Sequence, residues 1–191
     1  MTLLSSILAF NKKFVEDKAY EAYATSKNPE MKAVILTCMD TRLQELSHKA
    51  LGLKNGDVKV VKNAGATITH PYGATMKSLL VGIYALGAEE IIIMGHKDCG
   101  MCQIDADKVI NTMTQRGIKQ ETMDTLDHAG YNVKQFISGF NDVNENVYHN
   151  VDMVYNHPLF DKSVPVHGLV IEPHTGELEL LVDGYDKVIK K

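Results

Sequence analysis

The sequence has few cysteines, no excess of basic charge and no long apolar run. Three cysteines among 191 residues are an odd number and too few for a disulfide framework. Lys and Arg total 20 against 24 Asp and Glu, so no positive excess is available to neutralise nucleic-acid phosphates. No apolar run reaches the roughly 18 residues of a membrane helix. Residues 1–10 lack the basic region and cleavage site of a signal peptide. We therefore expect a cytoplasmic protein whose cysteines stay reduced.

The length and composition are those of one globular domain. A chain of this length, with 45% apolar and 23% charged residues, can bury a sizeable core without disulfide or metal cross-links. We therefore treat residues 1–191 as a single domain. The sequence contains neither a P-loop nor a G-x-G-x-x-G motif, so it offers no obvious cradle for nucleotide phosphates.

Short apolar runs alternate with helical patterns along most of the chain. The predicted strands lie at 33–37, 58–61, 91–94, 168–172 and 178–182. The predicted helices lie at 1–26, 43–51, 71–86 and, with glycine breaks, over much of 101–156. This order predicts an α/β fold with a parallel core sheet, flanking helices, an N-terminal helix and a C-terminal strand pair.

Two cysteines and a histidine follow predicted strands directly. Cys38 closes the first strand, and His96 and Cys99 lie at the end of the third. In an open parallel sheet, ligands bind beyond the carboxyl ends of the strands, where the strand order reverses. If the second and third strands flank the first on opposite sides, Cys38 and His96 face each other across that crevice.

Cys38, His96 and Cys99 form a Cys₂His set. Thiolate sulfur and imidazole nitrogen suit Zn²⁺, and three protein ligands with one open position are typical of a catalytic zinc site. The alternative is a core histidine whose ring nitrogens are hydrogen-bonded, beside cysteines that serve only as small buried side chains. The shared strand-end position of the three residues favours the metal site.

Asp40 and Arg42 follow Cys38 in a C-x-D-x-R pattern. A carboxylate near a zinc ion can orient a water molecule by accepting its hydrogen bond, and an arginine can hold that carboxylate with two hydrogen bonds. The alternative is an exposed ion pair at the start of a helix, which contributes little. Beside Cys38, we favour the functional interpretation.

The sequence resembles the β-class carbonic anhydrases. Three segments, in order and at a fitting spacing, carry the resemblance: Cys38-Met39-Asp40-Thr41-Arg42, Lys62-Asn63-Ala64-Gly65 and His96-Lys97-Asp98-Cys99-Gly100. They span roughly residues 30–102, and the terminal strand pair also fits. The first and third segments together are highly specific, whereas the middle one is weak alone.

The resemblance implies a site and a reaction. It implies one zinc ion on Cys38, His96 and Cys99, with Asp40 as a fourth ligand only in a closed state. It implies an Asp40–Arg42 dyad, and reversible hydration of carbon dioxide to bicarbonate and a proton. By extrapolation, the backbone N–H of Gly100 meets a substrate oxygen, although a glycine there can equally serve a tight turn.

The resemblance also implies an assembly. The expected state is a homodimer or homotetramer with the active site near the subunit interface. In that assembly the N-terminal helix, residues 1–28, serves as a dimerisation arm. No nucleic-acid or membrane partner is expected.

Other functions remain open at this point. With Cys102, the residues Cys38, His96 and Cys99 could form a closed structural Cys₃His site in a non-catalytic binding protein. A helix beginning near Met101 is expected to carry Cys102 away from the metal and so to exclude that site. The same zinc site could also hydrolyse carbonyl sulfide or carbon disulfide.

Overall fold

The computed structural model describes residues 2–188 and contains a five-stranded sheet. Its strands are β1 (Ala33–Cys38), β2 (Val58–Asn63), β3 (Glu90–His96), β4 (Val166–Ile171) and β5 (Leu178–Val182). Their order is β2-β1-β3-β4-β5, with the first four parallel and β5 antiparallel to β4. The predicted parallel core and C-terminal strand pair are confirmed.

Strand β1 lies between β2 and β3, so the strand order reverses there. All six residues of β1 are buried, as expected for an unbroken run of β-branched and apolar residues covered on both faces. Cys38 pairs with Asn63 of β2, and Thr37 pairs with Met94 of β3. This register brings the ends of β1 and β3 together at the switch point that the sequence predicted.

The described residues form seven α-helices. They are α1 (Leu3–Glu16), α2 (Leu43–Ala50), α3 (Ala74–Ala85), α4 (Ala106–Gln115), α5 (Gln120–His128), α6 (Val133–Ile137) and α7 (Val143–Tyr155). Apolar side chains of α3 and α7 share one buried cluster with Val34 and Leu36 of β1. Leu43 of α2 packs in a second cluster with Ile35, Cys38 and Cys99.

Helix α1 is shorter than predicted. It ends at Glu16, and a 3₁₀ turn at Ala19–Tyr23 follows. The break lies at Lys18, whose φ of 52° is left-handed and incompatible with a continuing right-handed helix. Met1, where the predicted helix begins, lies outside the described residues. No described residue of α1 is buried.

The predicted helix near Met101 is wrong. The chain turns at Cys99–Cys102, and Gln103 has a φ of 57°, so α4 begins only at Ala106. Gln103 N–H then donates to Phe140 O at 2.7 Å, and Phe140 N–H donates to Met101 O at 3.3 Å. The two ends of the segment 103–139 therefore lie next to each other.

Helix α7 lies close against β4 because a glycine faces it. A Cβ atom placed on Gly168 would lie 2.9 Å from Val147 Cγ1 and 3.2 Å from Val151 Cγ2. Real side chains do not approach this closely, so the bare backbone sets the helix-to-sheet distance. The polar residues Asn146 and Asn150 of the same helix are also buried.

Candidate metal centre

Cys38, His96 and Cys99 converge where β1 and β3 end. All three are buried, and their ligating atoms lie within 4.8 Å of one another. The two sulfur atoms are 4.0 Å apart. Two thiols and an imidazole around one point form the kind of donor set that holds Zn²⁺. The sequence had placed these residues at strand ends, and the fold brings them together.

The orientation of His96 leaves one ring nitrogen available. Its Nδ1 donates to the carbonyl of Lys97 at 2.8 Å. Within residues 2–188, its buried Nε2 has no hydrogen-bond partner. A buried polar atom without a partner is costly. Because a metal ligand satisfies such a nitrogen, and because metal-bound histidines commonly donate their other N–H to a carbonyl, the residues fit a metal ion.

The two thiols differ in their readiness to ionise. The hydrogen bond from Cys99, with smaller contributions from His96 and the N–H of Gly65, lowers the pKa of Cys38 to about 4 against the opposing effect of burial. The Gly65 nitrogen lies 3.4 Å from the Cys38 sulfur. The same contact with Cys38, reinforced by burial, raises the pKa of Cys99. Cys38 is thus ready as a thiolate, the form that binds metals.

Asp40 and Arg42 form a bidentate pair at the mouth of this cluster. Arg42 Nε donates to Asp40 Oδ1 at 3.0 Å, and Nη2 donates to Oδ2 at 2.8 Å. These hydrogen bonds are the main reason that the pKa of Asp40 falls to about 2. The Asp40 side chain is 17% exposed, and its Oδ2 lies 3.8 Å from His96 Nε2. The pair therefore faces the cluster rather than open solvent.

Asp98 contacts the other edge of the Arg42 side chain. Arg42 Nη1 donates to Asp98 Oδ2 at 2.8 Å, and Arg42 Nη2 donates to the main-chain oxygen of Asp98 at 2.8 Å. Asp98 lies within the third motif, and the sequence alone assigned it no role. The contact joins residues 56 apart, so no local pattern could have indicated it.

An open cavity of about 440 Å³ adjoins the cluster. It is lined by Cys38, Asp40, Arg42, Cys99 and Gly100, among others. A Cβ on Gly100 would meet no atom within 4 Å, and its φ is not positive. The backbone there does not require a glycine for a tight turn.

Cys102 lies apart from the cluster. Among the described residues, the potential metal-binding group contains Cys38, His96 and Cys99 and not Cys102. The Cys102 sulfur instead donates to the carbonyl of Asn141 at 3.3 Å. The predicted separation holds, although a turn rather than a helix produces it.

Two buried asparagines of α7 hold the loop that carries Gly65. Asn146 Nδ2 donates to Gly65 O at 3.1 Å, and Asn150 Oδ1 accepts from Ile68 N–H at 2.6 Å. Asn150 also donates to Asn146 O and Oδ1. This network was not predicted from the sequence. The available signal was an i, i+4 pair of amides on the face of α7 that carries Val147, Val151 and Val154.

Comparison with known proteins identifies the family. The family model described as carbonic anhydrase matches residues 33–178, the segment that contains all three motifs. The chain belongs to the β-carbonic anhydrase family. Two proteins of Bacillus subtilis (strain 168), provisionally named carbonic anhydrases YvdA and YtiB, are 50% and 48% identical over 186 residues. These matches cover 97% of this chain and 94% and 100% of the relatives.

A solved β-carbonic anhydrase has the same fold. Isoform I from Trichomonas vaginalis, TvaCA1, matches with a TM-score of 0.85 and 36% identity, over 97% of this chain and 100% of that one. The sequence resemblance to the β-carbonic anhydrases is thereby confirmed. Among the described residues, no helix combines the length and apolar character needed to cross a membrane.

Proposed function

We propose that this β-carbonic anhydrase catalyses the zinc-dependent reversible hydration of carbon dioxide to bicarbonate and a proton. One observation carries the proposal: in a member of this family, the only described cluster of potential metal ligands lies beside the cavity that Asp40 and Arg42 line. The cavity is open to solvent on one side, as a site with a small, freely diffusing substrate requires.

The proposed ligands are Cys38, His96 and Cys99. Their donor set and the unpartnered Nε2 of His96 support zinc as the ion. When bound, zinc supplies a Lewis acid that brings the pKa of a water molecule close to neutrality. The chain's contribution is to present two sulfurs and one nitrogen on the rigid ends of adjacent strands.

The proposed role of Asp40 is to orient the attacking water. With its pKa at about 2, Asp40 stays ionised at neutral pH and can only accept hydrogen bonds. Arg42 occupies both of its carboxylate oxygens and so fixes its direction. Because Arg42 holds Asp40 in this way, the arrangement supports an open site, with Asp40 as a fourth ligand only in a closed state.

The proposed substrate contact is the backbone N–H of Gly100. Gly100 lines the same cavity as Asp40 and Cys99, and nothing blocks the space beside it. A main-chain donor at this point can meet a substrate oxygen.

The other candidate functions are not favoured. A closed Cys₃His site needs Cys102, whose sulfur contacts Asn141 instead. A non-catalytic binding protein would leave the Asp40–Arg42 pair without a role. The residues that line the cavity do not select carbonyl sulfide or carbon disulfide over carbon dioxide, and two relatives that are 50% and 48% identical carry the carbonic anhydrase name.

The decisive test combines zinc content with stopped-flow carbon dioxide hydration. Cys38→Ser should lose most of the zinc, whereas Asp40→Asn should keep zinc and lose most of the turnover. Cys102→Ser is the matched control, because it makes the same change outside the cluster and should keep both properties. Full zinc occupancy in Cys38→Ser, or undiminished turnover in Asp40→Asn, would contradict the assigned roles.

We also propose a homodimer or homotetramer in which the N-terminal helix serves as an arm. Helix α1 buries none of its described residues and exposes a series of large apolar side chains: Leu3, Leu4, Ile7, Leu8, Phe10 and Val15. Apolar surface of this extent is typical of an interface. Leu4→Glu combined with Leu8→Glu should lower the mass measured by light scattering, whereas Lys12→Glu should not.

A cytoplasmic location is part of the same proposal. Two of the three free cysteines lie in the candidate centre, 4.0 Å apart, and oxidation would remove them as ligands. A reducing compartment keeps such thiols available. Fractionation of cells that produce the tagged protein would test this.

A further inference from the structure

The candidate centre contains a charged contact that the proposed roles leave unused. Asp98 lies between His96 and Cys99 in the loop after β3, and both its carboxylate and its main-chain oxygen accept hydrogen bonds from Arg42. We propose that Asp98 is a positioning residue, which fixes Arg42 and thereby the direction of Asp40. The inference rests on the proposed function, since Asp40 matters only if it orients a reactant.

The guanidinium of Arg42 is engaged along two of its edges. Nε and Nη2 face Asp40, with contacts of 3.0 and 2.8 Å. Nη1 and Nη2 face Asp98, with two contacts of 2.8 Å. A guanidinium is planar and its donors form a rigid fork, so two bidentate partners define both its plane and its rotation within that plane. Asp40 alone leaves the second edge free.

Stability alone does not account for the contact. The Asp98 side chain is 78% exposed, and an ion pair of such exposure contributes little to folding. Its effect is geometric, because it ties the loop after β1, which carries Asp40, to the loop after β3, which carries two of the proposed ligands. Without it, Arg42 and Asp40 can turn together as a pair relative to His96 and Cys99.

Two variants suit the backbone at this position. Asp98 has a φ of 51°, which asparagine and glycine tolerate better than most residues. Asp98→Asn keeps a neutral acceptor, and Asp98→Gly removes the side chain while keeping the main-chain oxygen. Asp107→Asn is the matched control, because Asp107 is 67% exposed and pairs with Lys134 at 2.6 Å away from the candidate centre.

Turnover and zinc content form the first measurement. Misplacing a reactive geometry by about an ångström can reduce rates up to a hundredfold. We expect Asp98→Gly to lower kcat at least about fivefold, with KM and zinc content unchanged, and Asp98→Asn to have a smaller effect in the same direction. Asp107→Asn should match the wild type. In an Arg42→Gln background, Asp98→Gly should have no further effect, because the group that it positions is absent.

Guanidinium NMR gives a readout that does not depend on activity. The sequence contains only two arginines, Arg42 and the exposed Arg116, so their ¹H–¹⁵N signals are readily assigned. Hindered rotation should give Arg42 separate Nη signals in the wild type, and Asp98→Gly, which removes the partner of Nη1, should make these signals exchange faster. Arg116 is the internal reference, whose signals should be the same in both proteins.

The outcomes separate this inference from the proposed function. Unchanged exchange of the Arg42 Nη signals in Asp98→Gly, or faster exchange with unchanged kcat, would overturn the positioning role. Loss of zinc from Asp98→Gly would also overturn it, because the residue would then support the ligands. A zinc-loaded wild type without carbon dioxide hydration would contradict the proposed function, while the NMR comparison would still decide whether Asp98 fixes Arg42.

Discussion

Replacing Asn150 with alanine should destabilise the protein far more than an ordinary asparagine substitution. Asn150 is completely buried and makes three side-chain hydrogen bonds: one from Ile68 N–H at 2.6 Å, one to Asn146 O at 2.6 Å and one to Asn146 Oδ1 at 2.9 Å. Truncation leaves the Ile68 N–H and the Asn146 amide oxygen without these partners in the interior.

The magnitude follows from the two groups left behind. Each buried polar group without a partner costs about 1–3 kcal/mol. The Asn146 backbone oxygen can keep its helical hydrogen bond, so we count the Ile68 N–H in full and the Asn146 amide in part. The expected loss is about 3 kcal/mol, against a total stability of about 5–15 kcal/mol for a typical domain. That fraction is large enough to measure reliably.

Urea unfolding of the zinc-loaded protein, at one protein concentration, measures this loss. Asn156→Ala is the control, because Asn156 is exposed at the end of the same helix and its side chain donates to Asp152 Oδ1 at 2.8 Å. A surface change of that kind should cost at most about 0.5 kcal/mol. Equal losses in the two variants would refute the argument from buried, partnerless groups. Asn150→Ala should also release zinc to a chelator faster. Asn150 holds the loop at Ile68, and the N–H of Gly65 in that loop donates to the Cys38 sulfur.

Three further predictions concern the site and the core. Arg42→Gln should raise the pKa of Asp40 from about 2 toward the usual value of about 4, measured by ¹³C NMR titration. The lowered pKa stabilises the folded state fully above about pH 4, and this contribution is lost as the pH falls toward 2, so the stability gap between wild type and variant should narrow over that range. Gly168→Ala should cost about 1–3 kcal/mol in urea unfolding, because its Cβ would lie 2.9 Å from Val147. Gly100→Ala should keep stability and turnover, since its Cβ meets open space and its N–H remains; a large loss of turnover would contradict the backbone role.

The sheet and the ligand positions were predictable because both depend on local chemistry. Unbroken runs of valine and isoleucine form strands buried on both faces, and a ligand that directly follows such a strand needs no further information to be placed at the sheet edge. The resemblance to the β-carbonic anhydrases then supplied roles for Asp40 and Arg42. The comparisons confirm the family, and those residue roles remain predictions.

The missed features depend on long-range contacts or on single backbone angles. Asp98 reaches Arg42 because β1 and β3 are neighbours, and Asn150 is buried on a helix that Gly95 and Gly168 allow to approach the sheet closely. The helix predicted near Met101 failed at Gln103, whose left-handed φ no propensity scale anticipates. Polar residues on a helix are ordinarily solvent-exposed, so the sequence offered no reason to expect Asn146 and Asn150 in the interior.

The contact between residues 101–103 and Phe140 has a consequence for how this protein can vary. Residues 103–139, with α4, α5 and α6, begin and end beside each other, so the chain around the centre is closed without them. Met101 and Phe140, which approach Gly65 most closely, lie just outside the segment. We therefore expect that this segment can change in length and composition, or be replaced by a short turn, while the strands and the ligand loops keep their positions. In engineering terms the segment is an insertion point beside the candidate centre, where a binding loop could be added without moving the strands that carry the proposed ligands.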